Sequence, residues 1–165
     1  INEVLVVTGD PPQDMGRKIY PTISTDVIRK FKMEMPEVKV YAGIDQYRTS
    51  MRAESYSIKR KIQAGADGFF TQPFFDLRFL EIYAELLEGK EVYWGVSPVL
   101  SDKSVNYWET KNNVVFPKNF APTLEWNIDF AQKVLEFVTR TNSNIYFMPI
   151  RTKLADYLSG ILAKK

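Results

Sequence analysis

The sequence predicts an α/β fold built on a parallel β-sheet, and three observations support this class. Short apolar runs rich in β-branched and aromatic residues alternate with longer amphipathic runs. Five such pairs follow one another within 165 residues, which is the length of one ordinary domain. Four of the five apolar runs meet a proline shortly after they end, where a strand stops. We therefore expect residues 1–165 to form a single domain of five βα units.

The first two units are defined by clear strand and helix boundaries. Val4–Val7 is apolar at successive positions, so we expect a strand that is covered on both faces. A helix is predicted from about Ser24, where a capping hydroxyl precedes apolar residues at helical spacing. The second strand, Val38–Ala42, precedes a helix over about Ala53–Ala64. That helix ends at Gly65, a residue suited to the position after a helix end.

The remaining units repeat this order. Aromatic and β-branched strands alternate with helices whose apolar residues recur every three or four positions. The predicted strands are Gly68–Gln72, Val92–Val96 and Ile145–Met148. The predicted helices cover about Leu77–Leu87, Lys103–Lys111 and Leu124–Arg140, with a closing helix marked by Leu154, Leu158, Ile161 and Leu162.

The composition excludes several classes of function. With 22 Lys+Arg against 20 Asp+Glu, the net charge of +2 is too small to indicate a nucleic-acid or membrane-surface partner. The absence of Cys and His excludes a thiolate nucleophile, a Ser-His-Asp triad and any Cys- or His-ligated metal site. Acid–base chemistry then depends on Asp, Glu, Tyr, Lys or a cofactor. No apolar run reaches the ~20 residues of a membrane span, and the lack of Cys fits a cytoplasmic location.

Polar residues at the strand ends are candidate site residues, because parallel α/β folds place their active sites at the carboxyl ends of the strands. These residues are Asp10, Gln72, Ser97 and Arg151. Asp10 follows a glycine that permits close approach of a ligand, although Gly-Asp-Pro-Pro is equally a turn sequence. The Gln72 amide both donates and accepts, which suits a flat heterocycle. The alternative is an amide satisfied by neighbouring backbone.

The second helix carries a polar stripe. Glu54, Ser57 and Lys61 share one face, and Arg60 lies three positions after Ser57. A carboxylate can bind sugar hydroxyls, while Arg and Lys can bind a diphosphate. The stripe therefore indicates a sugar–phosphate site, and the alternative is a solvated helix face whose charges pair with one another.

Three blocks of the sequence resemble methylenetetrahydrofolate reductase in order and spacing: Thr8–Pro12, Lys59–Asp67 and Thr71–Asp76. The similarity extends to Gly95–Val99 and Ile150–Arg151. The resemblance implies a TIM-type (β/α)8 barrel, of which this chain supplies about five βα units that correspond to strands four to eight. The family's catalytic glutamate, on its first strand, then has no counterpart here. We expect the chain to be part of a longer protein, or its barrel to be completed by a partner subunit or a second copy.

The same resemblance implies a flavin enzyme of one-carbon metabolism. In that family NAD(P)H reduces a bound FAD, which passes a hydride to 5,10-methylenetetrahydrofolate and forms 5-methyltetrahydrofolate. Two alternatives stay open on the sequence alone. One is a non-catalytic flavin- or folate-binding homologue that supports a partner enzyme, and the other is an unrelated α/β domain.

The resemblance also assigns roles to individual residues. Asp10 corresponds to the strand-end aspartate that tunes the flavin and meets the pterin, and Gln72 to the glutamine that binds the substrate. Trp108 aligns with an aromatic gate over the folate, and Arg151 with an arginine that meets the folate tail. The residues implied for FAD binding are Thr8, Gly9, Asp10, Tyr20, Gly43, Tyr47, Glu54, Ser57, Arg60 and Lys61. Thr8 replaces an arginine that is common in the family, and Tyr47 falls where many members have histidine.

Overall fold

The computed structural model describes residues 1–9, 14, 16, 20–150 and 152–163, and these residues contain five strands and six helices. The strands are β1 (Glu3–Val6), β2 (Lys39–Ile44), β3 (Gly68–Pro73), β4 (Glu91–Val96) and β5 (Asn144–Phe147). The helices are α1 (Ser24–Glu34), α2 (Met51–Gln63), α3 (Leu77–Leu86), α4 (Asp102–Asn112), α5 (Leu124–Thr141) and α6 (Leu154–Leu162).

The five strands form one parallel sheet in the order β1-β2-β3-β4-β5. Each strand pairs with the strands that precede and follow it in the sequence, so every carboxyl end lies at the same edge of the sheet. The predicted α/β class is therefore confirmed. Five parallel strands alternating with helices are consistent with part of a TIM-type barrel, and the closed barrel itself stays a prediction.

Helix ends are set by side chains that satisfy free backbone N–H groups. Ser50 accepts a hydrogen bond from the backbone N–H of Ala53 at 3.2 Å, so α2 begins at Met51, two residues before its predicted start. Asp76 accepts in the same way from Phe79 at 2.8 Å and caps α3. Gly65 has a φ of +104° directly after α2, as its predicted terminating role requires.

The helices cover one face of the sheet. Val40, Phe69 and Trp94 project from this face and are at most 2% exposed. They belong to one core cluster with Ile28 of α1 and Leu80 of α3, among others. This packing buries the outward side of β2, β3 and β4, and leaves their inward side to form the site.

β1 differs from its prediction. Its side chains alternate, with Val6 buried in the core while Leu5 and Val7 are 47% and 61% exposed. The prediction that β1 is covered on both faces was therefore wrong. The reason is that α1 packs against β1 on its outward face, while the inward side chains Leu5 and Val7 are left uncovered by the described residues.

Aromatic rings line the inward face of the sheet. Phe70 and Tyr93 stack with their centroids 4.3 Å apart and their planes 3° from parallel. Tyr41 and Tyr146 contact Phe70 from either side, each at 5.5 Å between centroids. This layer lies beneath the carboxyl ends of the strands, and its stacked rings Phe70 and Tyr93 are half-buried. None of the helices in the described part of the chain has the length and apolar character needed to cross a membrane.

Leu80 provides a test of the packing that holds α3 against the sheet. We expect Leu80→Ala to lower the free energy of unfolding by about 2–5 kcal/mol, because a fully buried leucine leaves a cavity when it is truncated. Leu86→Ala on the same helix is the matched control, since Leu86 is 42% exposed. Urea unfolding followed by circular dichroism measures both changes. Equal losses in the two variants would contradict the described orientation of α3.

Candidate functional site

A groove lies at the carboxyl edge of the sheet, between the ends of β1, β2, β3 and β5 and the side of α2. Its volume is about 510 Å³, within the usual range of small-molecule sites. Six of the residues singled out in the sequence line it: Thr8, Gly43, Glu54, Ser57, Lys61 and Gln72. The groove therefore joins the polar stripe of the second helix to the strand-end glutamine, two features predicted from separate segments.

The polar stripe of α2 contains a buried ion pair. The carboxylate of Glu54 and the ammonium of Lys61 lie 3.8 Å apart, and both side chains are less than 10% exposed. The Lys61 ammonium also donates a hydrogen bond to the backbone carbonyl of Gly43 at 2.7 Å. Lys61 thus connects α2 to the carboxyl end of β2 and fixes the wall of the groove.

Burial dominates the protonation of this pair. It raises the pKa of Glu54 above its ordinary value, and the nearby Lys61 ammonium partly opposes the rise. It lowers the pKa of Lys61, and Glu54 partly opposes that fall. Each charged group therefore stabilises the other against desolvation. Among the described residues, Glu54 Oε1 receives no hydrogen bond, and its partner is the Lys61 ammonium at 3.8 Å.

Gln72 lies on an irregular part of β3. The register with β4 pairs Phe70 with Tyr93 and then Pro73 with Gly95, so β3 bulges between these two positions. A bulge bends its strand and redirects a side chain. The backbone carbonyl of Gln72 accepts a hydrogen bond from Gln46 Nε2 at 2.8 Å. Gln72 is thus held through its backbone while its side chain lines the groove.

Thr8 lines the groove and follows the end of β1. Thr8 is exposed and its hydroxyl donates a hydrogen bond to Ser24 Oγ at 3.3 Å, which connects the end of β1 to the start of α1. Gly9 follows it and is also exposed. Asp10 and Arg151 lie outside the described residues, so their assigned roles stay predictions.

Three residues of the implied FAD set, Gly9, Tyr20 and Arg60, are exposed and do not line the groove. Arg60 directly precedes Lys61 on α2, and one helical step turns its side chain to solvent while Lys61 is buried. Tyr20 is 67% exposed. The structure therefore separates the two cations that the sequence placed together on the diphosphate, and Lys61 is the one at the groove.

Tyr47 is half-buried and Trp108 is buried, both away from the groove. Tyr47 donates its hydroxyl hydrogen bond to the carbonyl of Pro73 at 3.1 Å and lines a separate cavity of about 390 Å³. Trp108 is 5% exposed and meets Phe75 edge-to-face at 5.3 Å in a second core cluster. α4 packs the Trp108 ring against the chain that follows β3, and the ring does not line the groove. Its contact with folate stays a prediction.

Sequence reasoning missed several residues of the groove. Asp45, Arg48 and Thr49 belong to the loop between β2 and α2, and they line the groove beside Glu54. Tyr146 and Met148 come from the end of β5, at alternate positions that face inward. That alternation was the available signal, but the uniformly apolar run Ile145–Met148 concealed it.

Ser97, the remaining strand-end candidate, is buried and donates a hydrogen bond to the carbonyl of Met148 at 2.8 Å.

A parallel α/β sheet with a groove at its carboxyl edge is the arrangement in which α/β proteins place ligand sites on strand-end loops. The family model described as methylenetetrahydrofolate reductase matches residues 1–138. The chain belongs to the methylenetetrahydrofolate reductase family. The match includes β1 to β4 and most of α5, and β5 with Tyr146 lies beyond it.

Curated relatives agree with this family. The 5,10-methylenetetrahydrofolate reductase of Pectobacterium carotovorum subsp. carotovorum is 28% identical over 134 residues, which cover 78% of this chain and 45% of the relative. The enzyme of the same description from Escherichia coli (strain K12) is 26% identical over 137 residues, 80% of this chain and 46% of the relative. The protein from Shigella flexneri gives the same values. The chain spans about half the length of these relatives.

The buried pair predicts a pH-dependent loss of stability. Lys61→Met leaves the Glu54 carboxylate desolvated without its cation, so we expect a loss of about 3–5 kcal/mol in the free energy of unfolding near neutral pH. Without Lys61 the folded pKa of Glu54 rises further above the unfolded value. The folded state then binds more protons than the unfolded state, and stability falls as pH rises through that interval.

The double variant Glu54→Gln with Lys61→Met is the control, because it removes both charges. We expect it to be more stable than Lys61→Met alone at neutral pH and to lose the added pH slope. Urea unfolding between about pH 4 and pH 8 measures both quantities. The pairing would be contradicted if the added pH dependence of stability were absent from Lys61→Met. It would also be contradicted if the double variant lost as much stability as the two single substitutions added together.

Proposed function

We propose that this chain supplies the flavin- and folate-binding half of a methylenetetrahydrofolate reductase. The proposed reaction is the reduction of 5,10-methylenetetrahydrofolate to 5-methyltetrahydrofolate by NAD(P)H through FAD. The observation that carries the proposal is the meeting of Glu54, Ser57 and Lys61 with Gln72 in one groove. Family membership supports the chemistry, and the relatives carry the name of this activity.

The α2 wall of the groove fits a dinucleotide cofactor. Glu54 Oε1 lies 3.8 Å from the Lys61 ammonium and receives no hydrogen bond from the described residues, so the carboxylate can accept one from a ribose hydroxyl. Lys61 provides a positive charge one helical turn from Ser57, where a diphosphate can accept hydrogen bonds from both. Glu54, Ser57 and Lys61 are accordingly the residues that we propose hold the adenosine and diphosphate of FAD.

The strand ends fit the reacting rings. When bound, the flavin supplies the hydride transfer, so the protein needs to provide orientation, hydrogen bonds and a proton path. The Gln72 amide offers a donor and an acceptor to the edge of a pterin. Phe70, two positions before Gln72, belongs to the aromatic layer and lines the same groove, where it offers an apolar surface to the rings. Asp10, which follows β1, is proposed to meet the flavin and the pterin.

We propose in addition that the inward face of the sheet belongs to a (β/α)8 barrel whose other strands come from outside this chain. Leu5 and Val7 expose apolar side chains on that face, and the matched relatives are about twice as long as the matched region. Further residues of the same protein or a partner subunit would cover these side chains.

Ser57 allows a test of FAD binding that leaves the buried pair in place. Ser57→Asp adds a negative charge beside the proposed diphosphate, so we expect the Kd for FAD to rise by about tenfold or more. Ser55→Asp adds the same charge to the same helix outside the groove and is the matched control. Flavin fluorescence quenching in the complete natural protein measures both affinities. Equal Kd values for the two variants would remove α2 from the cofactor site.

Gln72 allows a separate test of the folate site. Gln72→Ala is expected to retain FAD and its rate of reduction by NAD(P)H, while kcat/KM for methylenetetrahydrofolate falls about tenfold to a hundredfold. The loss follows from removing a polar partner where the substrate edge binds. Stopped-flow measurements of the two half-reactions separate these effects. Normal folate kinetics in this variant would remove Gln72 from the substrate site.

A further inference from the structure

The bulge in β3 exposes backbone groups that a regular strand would satisfy by ladder hydrogen bonds. Between Phe70 and Pro73 the regular pairing with β4 is interrupted. The Thr71 hydroxyl replaces one ladder bond by accepting from the backbone N–H of Gly95 at 3.0 Å. Three successive carbonyls, of Thr71, Gln72 and Pro73, then need partners, because buried backbone acceptors are costly when unpaired.

Side chains from both neighbouring sides provide these partners. Gln46, which follows β2, donates through Nε2 to the carbonyls of Gln72 and Pro73 at 2.8 and 3.3 Å. Tyr47 donates its hydroxyl to the Pro73 carbonyl at 3.1 Å. From the other side, Tyr146 of β5 donates its hydroxyl to the Thr71 carbonyl. Every carbonyl of the bulged segment is therefore held by a side chain.

Tyr146 reaches β3 because the intervening strand has a glycine. β4 lies between β3 and β5 in the sheet, and Gly95 is the residue over which the Tyr146 ring passes. A Cβ at position 95 would lie 2.7 Å from the Tyr146 hydroxyl and 3.0 Å from the Thr71 carbonyl oxygen. Burial raises the pKa of Tyr146 to about 12, so its hydroxyl remains a donor at neutral pH.

We propose that Tyr146, Gln46 and Tyr47 are positioning residues that hold the bulged segment Thr71–Pro73 and so aim the Gln72 amide at the substrate. They act on the backbone on both sides of Gln72, while the Gln72 side chain faces the groove. The proposal deepens the proposed function, since it takes Gln72 as the folate-binding residue. It also assigns Tyr47, which the resemblance placed at FAD, to the support of the substrate side.

The test compares variants that each remove one hydroxyl. Tyr146→Phe keeps the ring and loses only the hydrogen bond to Thr71. Tyr93→Phe is the matched control, because Tyr93 lies in the same aromatic layer and its hydroxyl bonds Glu91 at the opposite end of the sheet. The side-chain amide resonances of Gln72, assigned by their loss in Gln72→Ala, report the position of the amide. Stopped-flow kinetics of the complete natural protein report the two half-reactions.

We expect Tyr146→Phe to shift the Gln72 amide resonances and to lower kcat/KM for the folate roughly tenfold, as expected for an unsatisfied buried carbonyl. Flavin reduction by NAD(P)H should stay within about twofold of the natural protein, and Tyr93→Phe should change neither quantity. Tyr146→Phe combined with Gln72→Ala should be no worse for folate than Gln72→Ala alone, because Tyr146 acts through Gln72.

Unmoved Gln72 resonances in Tyr146→Phe would overturn the proposal, as would additive losses in the combined variant. Shifted resonances together with normal folate kinetics in Gln72→Ala would support the positioning and refute the proposed role of Gln72 in folate binding. If Tyr146→Phe does not fold, Tyr47→Phe removes a hydroxyl from the other side of the segment. The same resonance shift is then expected, and its absence overturns the proposal.

Discussion

The desolvated ammonium of Lys61 is the constraint around which the groove is organised. A buried cation needs a carboxylate and further acceptors, and Lys61 finds them on two different elements, Glu54 of α2 and the Gly43 carbonyl of β2. These contacts fix the distance between α2 and the end of β2. The buried Glu54–Lys61 pair therefore forms the α2 wall of the groove.

The opposite wall is the irregular part of β3, where backbone carbonyls need hydrogen-bond donors. The bulge in β3 frees carbonyls that Gln46, Tyr47 and Tyr146 then bind. Gln46 and Tyr47, which follow β2, and Tyr146 of β5 thus have a structural reason to carry polar groups. One wall is ordered by a charge pair and the other by hydrogen bonds to backbone, and the groove between them brings the polar stripe of α2 and Gln72 together.

Family membership and geometry provide different information about this groove. The family match covers residues 1–138 and thus the α2 stripe and Gln72. Tyr146 and Met148 complete the groove from β5, beyond that match, and their place there comes from the structure alone. The exposed inward side chains of β1 and the length of the relatives bear on the same question, which is how the remaining inward face of the sheet is covered.

The sequence by itself determined the α/β class, all five strands to within a few residues and the shared face of Glu54, Ser57 and Lys61. These properties arise from local periodicity and capping, which neighbouring residues alone decide. Only the tertiary structure decided that Arg60 is exposed while Lys61 is buried, that Trp108 packs in a core, and that Tyr146 crosses Gly95 to reach β3. Each of these depends on which elements pack together, and contacts between residues distant in the chain leave no periodic trace in the sequence.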